Sequence, residues 1–155
     1  MDIWLFQIIR IIPLLAVFGY AAYCDYRVGE VSNKLWLYAP VGLALTLLEL
    51  YLFTPALAVF VLVPMVGVAL FGFLLFFFSK GYFLGADSKA IVCLALCCPI
   101  TPLFSGYVSV YPIVAFTLAA ILSGLVFIAR RGRGGFKAKV RFLPYLFVGM
   151  LLALI

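Results

Sequence analysis

The chain contains no histidine and only five acidic residues. Without histidine there is no imidazole to ligate a metal or to change charge near neutral pH, so acid–base chemistry falls to carboxylates, tyrosine, lysine or cysteine. Charge of any kind is scarce: 10% of residues are charged and 68% are hydrophobic, far from the balance of an ordinary soluble domain. Paired Cys-x-x-Cys spacing is missing as well. The four cysteines are Cys24, Cys93, Cys97 and Cys98, the last three inside one apolar segment, and they read as packing residues rather than a zinc site. The apolar N-terminal stretch has no basic leader, and Tyr23 before Cys24 is not the small residue a lipoprotein signal needs. It reads as a retained helix.

What the sequence has in quantity is apolar length. Six runs, at about 11–24, 35–53, 56–78, 88–104, 107–129 and 142–155, approach or exceed the roughly 20 residues an α-helix needs to cross hydrocarbon. The expected fold is therefore all-α: one membrane-embedded domain over residues 1–155 with about six transmembrane helices. The first and last runs are short for a full crossing. Pro99 and Pro102 are expected to kink or end the fourth, because proline removes a backbone donor and crowds the preceding turn.

The connections alternate in character. Those at 25–34, 79–87 and 130–141 are polar, whereas those near Thr54-Pro55 and Ser105-Gly106 contain no lysine or arginine. All eleven basic residues except Arg10 lie in or beside the polar connections, so the positive-inside rule puts these in the cytoplasm and both termini outside. Arg10 and Arg141 are then expected to reach toward the interfaces. The net charge of +6 comes mostly from 130–141, where Arg130, Arg131, Arg133, Lys137, Lys139 and Arg141 surround Gly132, Gly134 and Gly135. That stretch reads as a flexible topogenic linker that meets anionic lipid headgroups rather than nucleic acid.

With five acids, each can be weighed. Asp2 is terminal, Glu30 sits in a polar loop, and Glu49 lies near the outer end of the second run, where an interfacial place is the plainest reading. Asp25 and Asp87 remain. They close the first run and open the fourth, which brings two carboxylates distant in sequence to one face of the membrane. Aspartates at helix ends also simply mark an interface, so their surroundings matter. Around the first the chain reads Cys24-Asp25-Tyr26-Arg27, with Val31-Ser32-Asn33-Lys34 following, and Asn33 is placed to cap the second helix. Around the second it reads Leu84-Gly85-Ala86-Asp87-Ser88-Lys89, where the small Gly85 and Ala86 allow a helix or an extended backbone to come close. Near the C-terminus stands Arg141-Phe142-Leu143-Pro144-Tyr145-Leu146-Phe147-Val148-Gly149.

These three stretches, in this order on the first, fourth and sixth runs, resemble the signatures of type IV prepilin peptidases and archaeal preflagellin peptidases. The family elements are an aspartate followed eight residues on by the Asn of an Ile-Pro-Asn-like element, then Gly-x-Gly-Asp-x-Lys, then Pro-Phe-x-Pro-x-Leu-x-x-Gly. Here Ser32 stands for the first proline, Leu84 and Ala86 for the two glycines, and Arg141 for the leading proline of the last element. The resemblance spans the chain and implies a Gly-x-Gly-Asp intramembrane aspartyl peptidase in a short, peptidase-only form. It implies Asp25 and Asp87 as catalytic residues, Asn33, Gly85, Ala86, Lys89, Pro144 and Tyr145 as supporting ones, and no metal or other cofactor. The implied partner is a prepilin-like or preflagellin-like substrate whose short basic leader is cut before a hydrophobic helix.

A carboxylate pair in a partly dry site shares one proton and activates water. The helix dipole favours the anion on Asp87, at a helix N-terminus, over Asp25, at a helix C-terminus, which suggests Asp87 as base and Asp25 as acid. Lys89, two residues from Asp87, need not face it and reads as a snorkelling residue. Two other readings stay open. One is a non-enzymatic transporter or assembly factor using Asp25 and Asp87 as a proton or cation site, and the other is a presenilin-like peptidase with different substrates.

Overall fold

The computed structural model describes residues 3–53, 58–78, 85–97, 111–134 and 141–154. Among them the chain is all-helical: α1 Ile3–Arg27, a 3₁₀ segment Asn33–Leu37, α2 Tyr38–Phe53, α3 Ala58–Phe78, α4 Gly85–Leu96, α5 Tyr111–Gly134 and α6 Leu143–Leu152. Two stretches, Ile8–Arg27 and Asn33–Leu52, are long and apolar enough to cross a membrane. Leu62–Leu74, Ile113–Ala129 and Leu143–Leu152 are shorter apolar helical stretches.

α4 is the inner helix. Ala90, Ile91, Cys93, Leu94, Ala95 and Cys97 are all buried, which leaves it almost no outward face, as expected of a helix that is apolar on most sides. It packs against α3 and α2, while α6 packs between α5 and α1. α6 buries Leu143, Leu146, Gly149 and Met150 as one stripe. The α5–α6 contact is close because three small residues meet there. A Cβ on Gly149 would stand 3.1 Å from the Ala119 backbone nitrogen and closer still to the Ala115 carbonyl oxygen.

Three segments differ from the boundaries expected from hydropathy. α1 is a full 25 residues, about 37 Å, rather than a short run ending at Cys24. α4 starts at Gly85 and ends at Leu96, before the two prolines, so its 12 residues span only about 18 Å. Pro99 and Pro102, with the connections at 54–57, 79–84 and 105–106, lie outside the described residues. α5 continues through Arg130, Arg131 and Arg133 to Gly134, so the first part of the basic stretch is helical and not a flexible linker. Arginine is a good helix former, and two glycines do not stop a helix already nucleated over twenty residues. Lys137 and Lys139 fall outside the described residues.

A short helix surrounded by protein must satisfy its last carbonyls without water. α4 does so with side chains from its neighbours. The Thr46 hydroxyl donates to the Leu96 carbonyl at 3.0 Å, and Arg10 donates to the Cys97 carbonyl at 3.2 Å and to the Thr46 oxygen at 2.6 Å. Glu49 forms an ion pair with Arg10, and both side chains are buried. This corrects the expectation for each residue. Both are enclosed by protein and paired with each other, and α1, α2 and α4 are joined through them.

Candidate active site

α1 ends where Gly29 takes a left-handed conformation, φ 81°, and turns its N–H back onto the Cys24 and Asp25 carbonyls. A residue with a side chain is strained at such a φ, whereas glycine is not. Further donors to the last turn come from elsewhere: the Arg141 guanidinium donates to the backbone oxygens of Asp25, which it shares with the Gly29 N–H, and of Tyr26. A cation at a helix C-terminus also suits the negative end of the helix dipole. Arg141 thus holds the turn that carries Asp25.

Asp25 itself is 3% exposed. Its carboxylate receives the backbone N–H of Leu143, the first residue of α6, and feels the charge of Arg141. Phe142, at the N-cap of α6, has no side-chain cap to offer, and Pro144 has no N–H, so Asp25 supplies from another helix the acceptor that α6 lacks. Its Oδ2 is buried and has no hydrogen-bond partner among the described residues.

Asp87 lies on the first turn of α4 and is 6% exposed. The Arg10–Cys97 contact ties the far ends of α1 and α4 together. From there Asp25 is fifteen residues along α1 and Asp87 ten residues back along α4, roughly 22 Å and roughly 15 Å toward the same end. Both carboxylates are therefore buried at one end of the bundle.

The supporting residues arrange themselves around that end. Lys89 donates from Nζ to Asn33 Oδ1 at 2.7 Å, a bond between α4 and the 3₁₀ segment. Asn33 is not the cap: Ser32 is, accepting from the Lys34 N–H at 3.4 Å, and this leaves the Asn33 amide oxygen for Lys89. Lys89 is accordingly a tether between elements as well as an exposed cation. Gly85 begins α4, and Ala86 packs against the core. Pro144 occupies the first turn of α6, where its missing N–H is not needed, and Tyr145 packs partly buried beside it. Next to Asp87, Ser88 is buried, and Trp36 of the 3₁₀ segment packs edge-on against Phe18, ring centres 5.9 Å apart.

The sequence-based reading gave Arg141 only an interfacial role. Its one trace was the departure from proline at that position in the third motif. Arg10, Thr46 and Glu49 left no trace, since their pairing crosses 36 to 87 residues and follows no helical period. The dipole argument for which aspartate holds the anion also considered only α1 and α4. Asp25 receives in addition the N-terminus of α6 and the charge of Arg141. Compared with protein-family models, with curated proteins and with solved structures, the chain matches none.

Proposed function

We propose that the chain is a membrane aspartyl endopeptidase of the type IV prepilin peptidase kind, removing the basic leader of a prepilin-like or preflagellin-like precursor. The observation that carries the reading is the burial of Asp25 and Asp87 at one end of the bundle, on the last turn of one helix and the first turn of another. In this reading the two carboxylates share a proton and polarise a water for attack on the peptide carbonyl. One accepts the proton of the water while the other donates to the leaving amine. Asp25 Oδ2 has no hydrogen-bond partner among the described residues.

The reading includes six membrane passes, with the connections at 25–34, 79–87 and 130–141 on the cytoplasmic side and both termini outside. An apolar exterior supports residence in lipid: along α3, Val63, Val66, Leu70, Phe73, Leu74 and Phe77 are all exposed. The basic end of α5 would then face anionic headgroups.

The deciding experiment incubates purified protein, in detergent or liposomes, with a precursor whose basic leader precedes a hydrophobic helix. Asp25→Asn and Asp87→Asn each abolish cleavage while the protein stays inserted and folded, and Glu30→Gln, at an exposed loop position, cleaves normally. Near-normal turnover by either aspartate variant would sink the reading and favour a proton or cation site instead.

A further inference from the structure

Asp25 and Asp87 are both enclosed by protein, so a site that cuts a peptide between them needs an element that moves aside. Two described segments stand at this end of the bundle. One is the start of α6. It is tied down by Arg141 on two carbonyls of α1, by the Leu143 N–H on the Asp25 carboxylate, and by Phe142 against Phe116, ring centres 5.8 Å apart. The other is the strap at 28–37, which joins α1 to α2. Among the described residues, its one side-chain hydrogen bond to another element is the exposed bond from Lys89 to Asn33. The strap is also built to move. Gly29 holds φ 81° without strain and gives it a pivot directly after α1. Val28, Glu30, Ser32, Asn33 and Lys34 are exposed, and the segment Asn33–Leu37 has the weaker hydrogen bonding of a 3₁₀ helix.

The strap lies against the turn of α4 that bears Asp87. Its Trp36 borders the same groove as Ser88 and Lys89, the residues that follow Asp87, and packs edge-on against Phe18 of α1. The Trp36 indole nitrogen and the Ser88 hydroxyl have almost no accessible surface, and neither has a hydrogen-bond partner among the described residues. Both are sealed inside the protein and turned away from the groove. Buried donors are normally paired, and one left unpaired disfavours the state that buries it. We infer that 28–37 is a lid beside Asp87: it pivots at Gly29, is latched by Asn33 on Lys89, and lifts Trp36 off α4 to admit the substrate backbone and the attacking water. Lifting brings the indole N–H and the Ser88 hydroxyl to water, which offsets part of the apolar contact that Trp36 gives up. The inference rests on the aspartyl-peptidase reading.

Trp4→Phe leaves Trp36 as the sole tryptophan, so its quenching by acrylamide reads the opening without any cleavage. Lys89→Met and Asn33→Ala, which cut the latch, each raise the quenching constant at least threefold. Amide exchange at 34–37 quickens about tenfold in both, while exchange in α6 stays as it was. Unchanged quenching in both variants, or exchange that quickens as much in α6 as in the strap, overturns the lid. The link to chemistry is tested by replacing Asn33 and Lys89 together with cysteine, in a Cys24→Ser chain, and bridging them with a bis-methanethiosulfonate of two-carbon spacer. The bridged chain keeps the low quenching of the latched one. It cleaves the precursor at less than a tenth of the rate of the same chain after a reductant has removed the bridge. Equal rates in the bridged and reduced forms overturn the lid and leave the peptidase reading standing. A reduced form that does not cleave, where the unaltered chain does, shows that the pair serves the chemistry and not a latch, and overturns the lid as well. Absence of any cleavage by the unaltered chain removes the peptidase reading, and the lid with it.

Discussion

Replacing Asp25 by alanine and by asparagine removes different things. Asparagine cannot exchange the proton but keeps an oxygen for the Leu143 N–H, whereas alanine removes the acceptor that α6 depends on at its first turn. Loss of such a cap costs about 1 kcal/mol. Asp25→Ala is expected to melt below Asp25→Asn in the same detergent, and under the proposed function neither is expected to cleave. Equal melting temperatures would show that the contact with α6 contributes nothing. The buried Arg10–Glu49 pair makes a second prediction at this scale. Glu49→Gln leaves a buried guanidinium without its counter-charge and is expected to destabilise the chain by about 3–5 kcal/mol. The double replacement Arg10→Met with Glu49→Leu removes both charges and should recover most of that loss. It should not recover all of it, because the Cys97 carbonyl then has lost its donor from Arg10. Chemical denaturation of the single and double variants measures both steps.

Helices here depend on one another for their ends. α4 is closed by Arg10 and Thr46 from α1 and α2, α1 by Arg141 from the approach to α6, and α6 in part by Asp25 from α1. Arg141→Ala should therefore fray the last turn of α1, and hydrogen exchange at the amides around Tyr26 and Arg27 should speed up by about tenfold, the equivalent of the ~1.4 kcal/mol that a charge-assisted bond contributes. Because that turn carries Asp25, kcat should fall more than KM rises, and Arg141→Lys, which keeps the charge but not the planar fork, should recover only part of it. Packing between elements is tested at Gly149. Gly149→Ala puts a methyl group against the Ala115 carbonyl oxygen and forces α5 and α6 apart, at a cost of about 1–3 kcal/mol. A melting temperature unchanged by that replacement would mean that the two helices do not meet so closely.

At the scale of the whole molecule, the order of helices was legible because each apolar run is separated from the next by turn residues or charge. The placement of Asp25 on a last turn and Asp87 on a first turn was legible for the same reason. Boundaries were harder. Hydropathy stopped the first helix at Cys24 and began it at Ile11, since Arg10 and Asp25 look like ends, yet both are buried along a continuous α1. The fourth helix was drawn too long because an apolar sequence says nothing about where a neighbour's arginine will close the backbone. Asn33 was read as a cap when the residue before it had the better hydroxyl, and its amide was free to meet Lys89 from 56 residues away. Contacts of that kind carry no period and leave local sequence silent.

The shortness of α4 has a consequence for how the protein meets bilayers of different thickness. In the proposed membrane setting, α1, at about 37 Å, would exceed the hydrocarbon layer and relieve the excess by tilting, so its inclination would follow the acyl-chain length of the surrounding lipid. α4, about 18 Å long and enclosed by its neighbours, has almost no contact with lipid and nothing to adjust. Under that proposal hydrophobic mismatch would act on the helix bearing Asp25 and spare the one bearing Asp87. Since Arg10 pins the two at their opposite ends, a change of tilt swings Asp25 relative to Asp87 like a lever about that pin. In proteoliposomes made from phosphatidylcholines of increasing chain length, cleavage should pass through a maximum at one thickness and fall on both sides, while the melting temperature changes little. A rate independent of thickness would mean that the two helices move as one body.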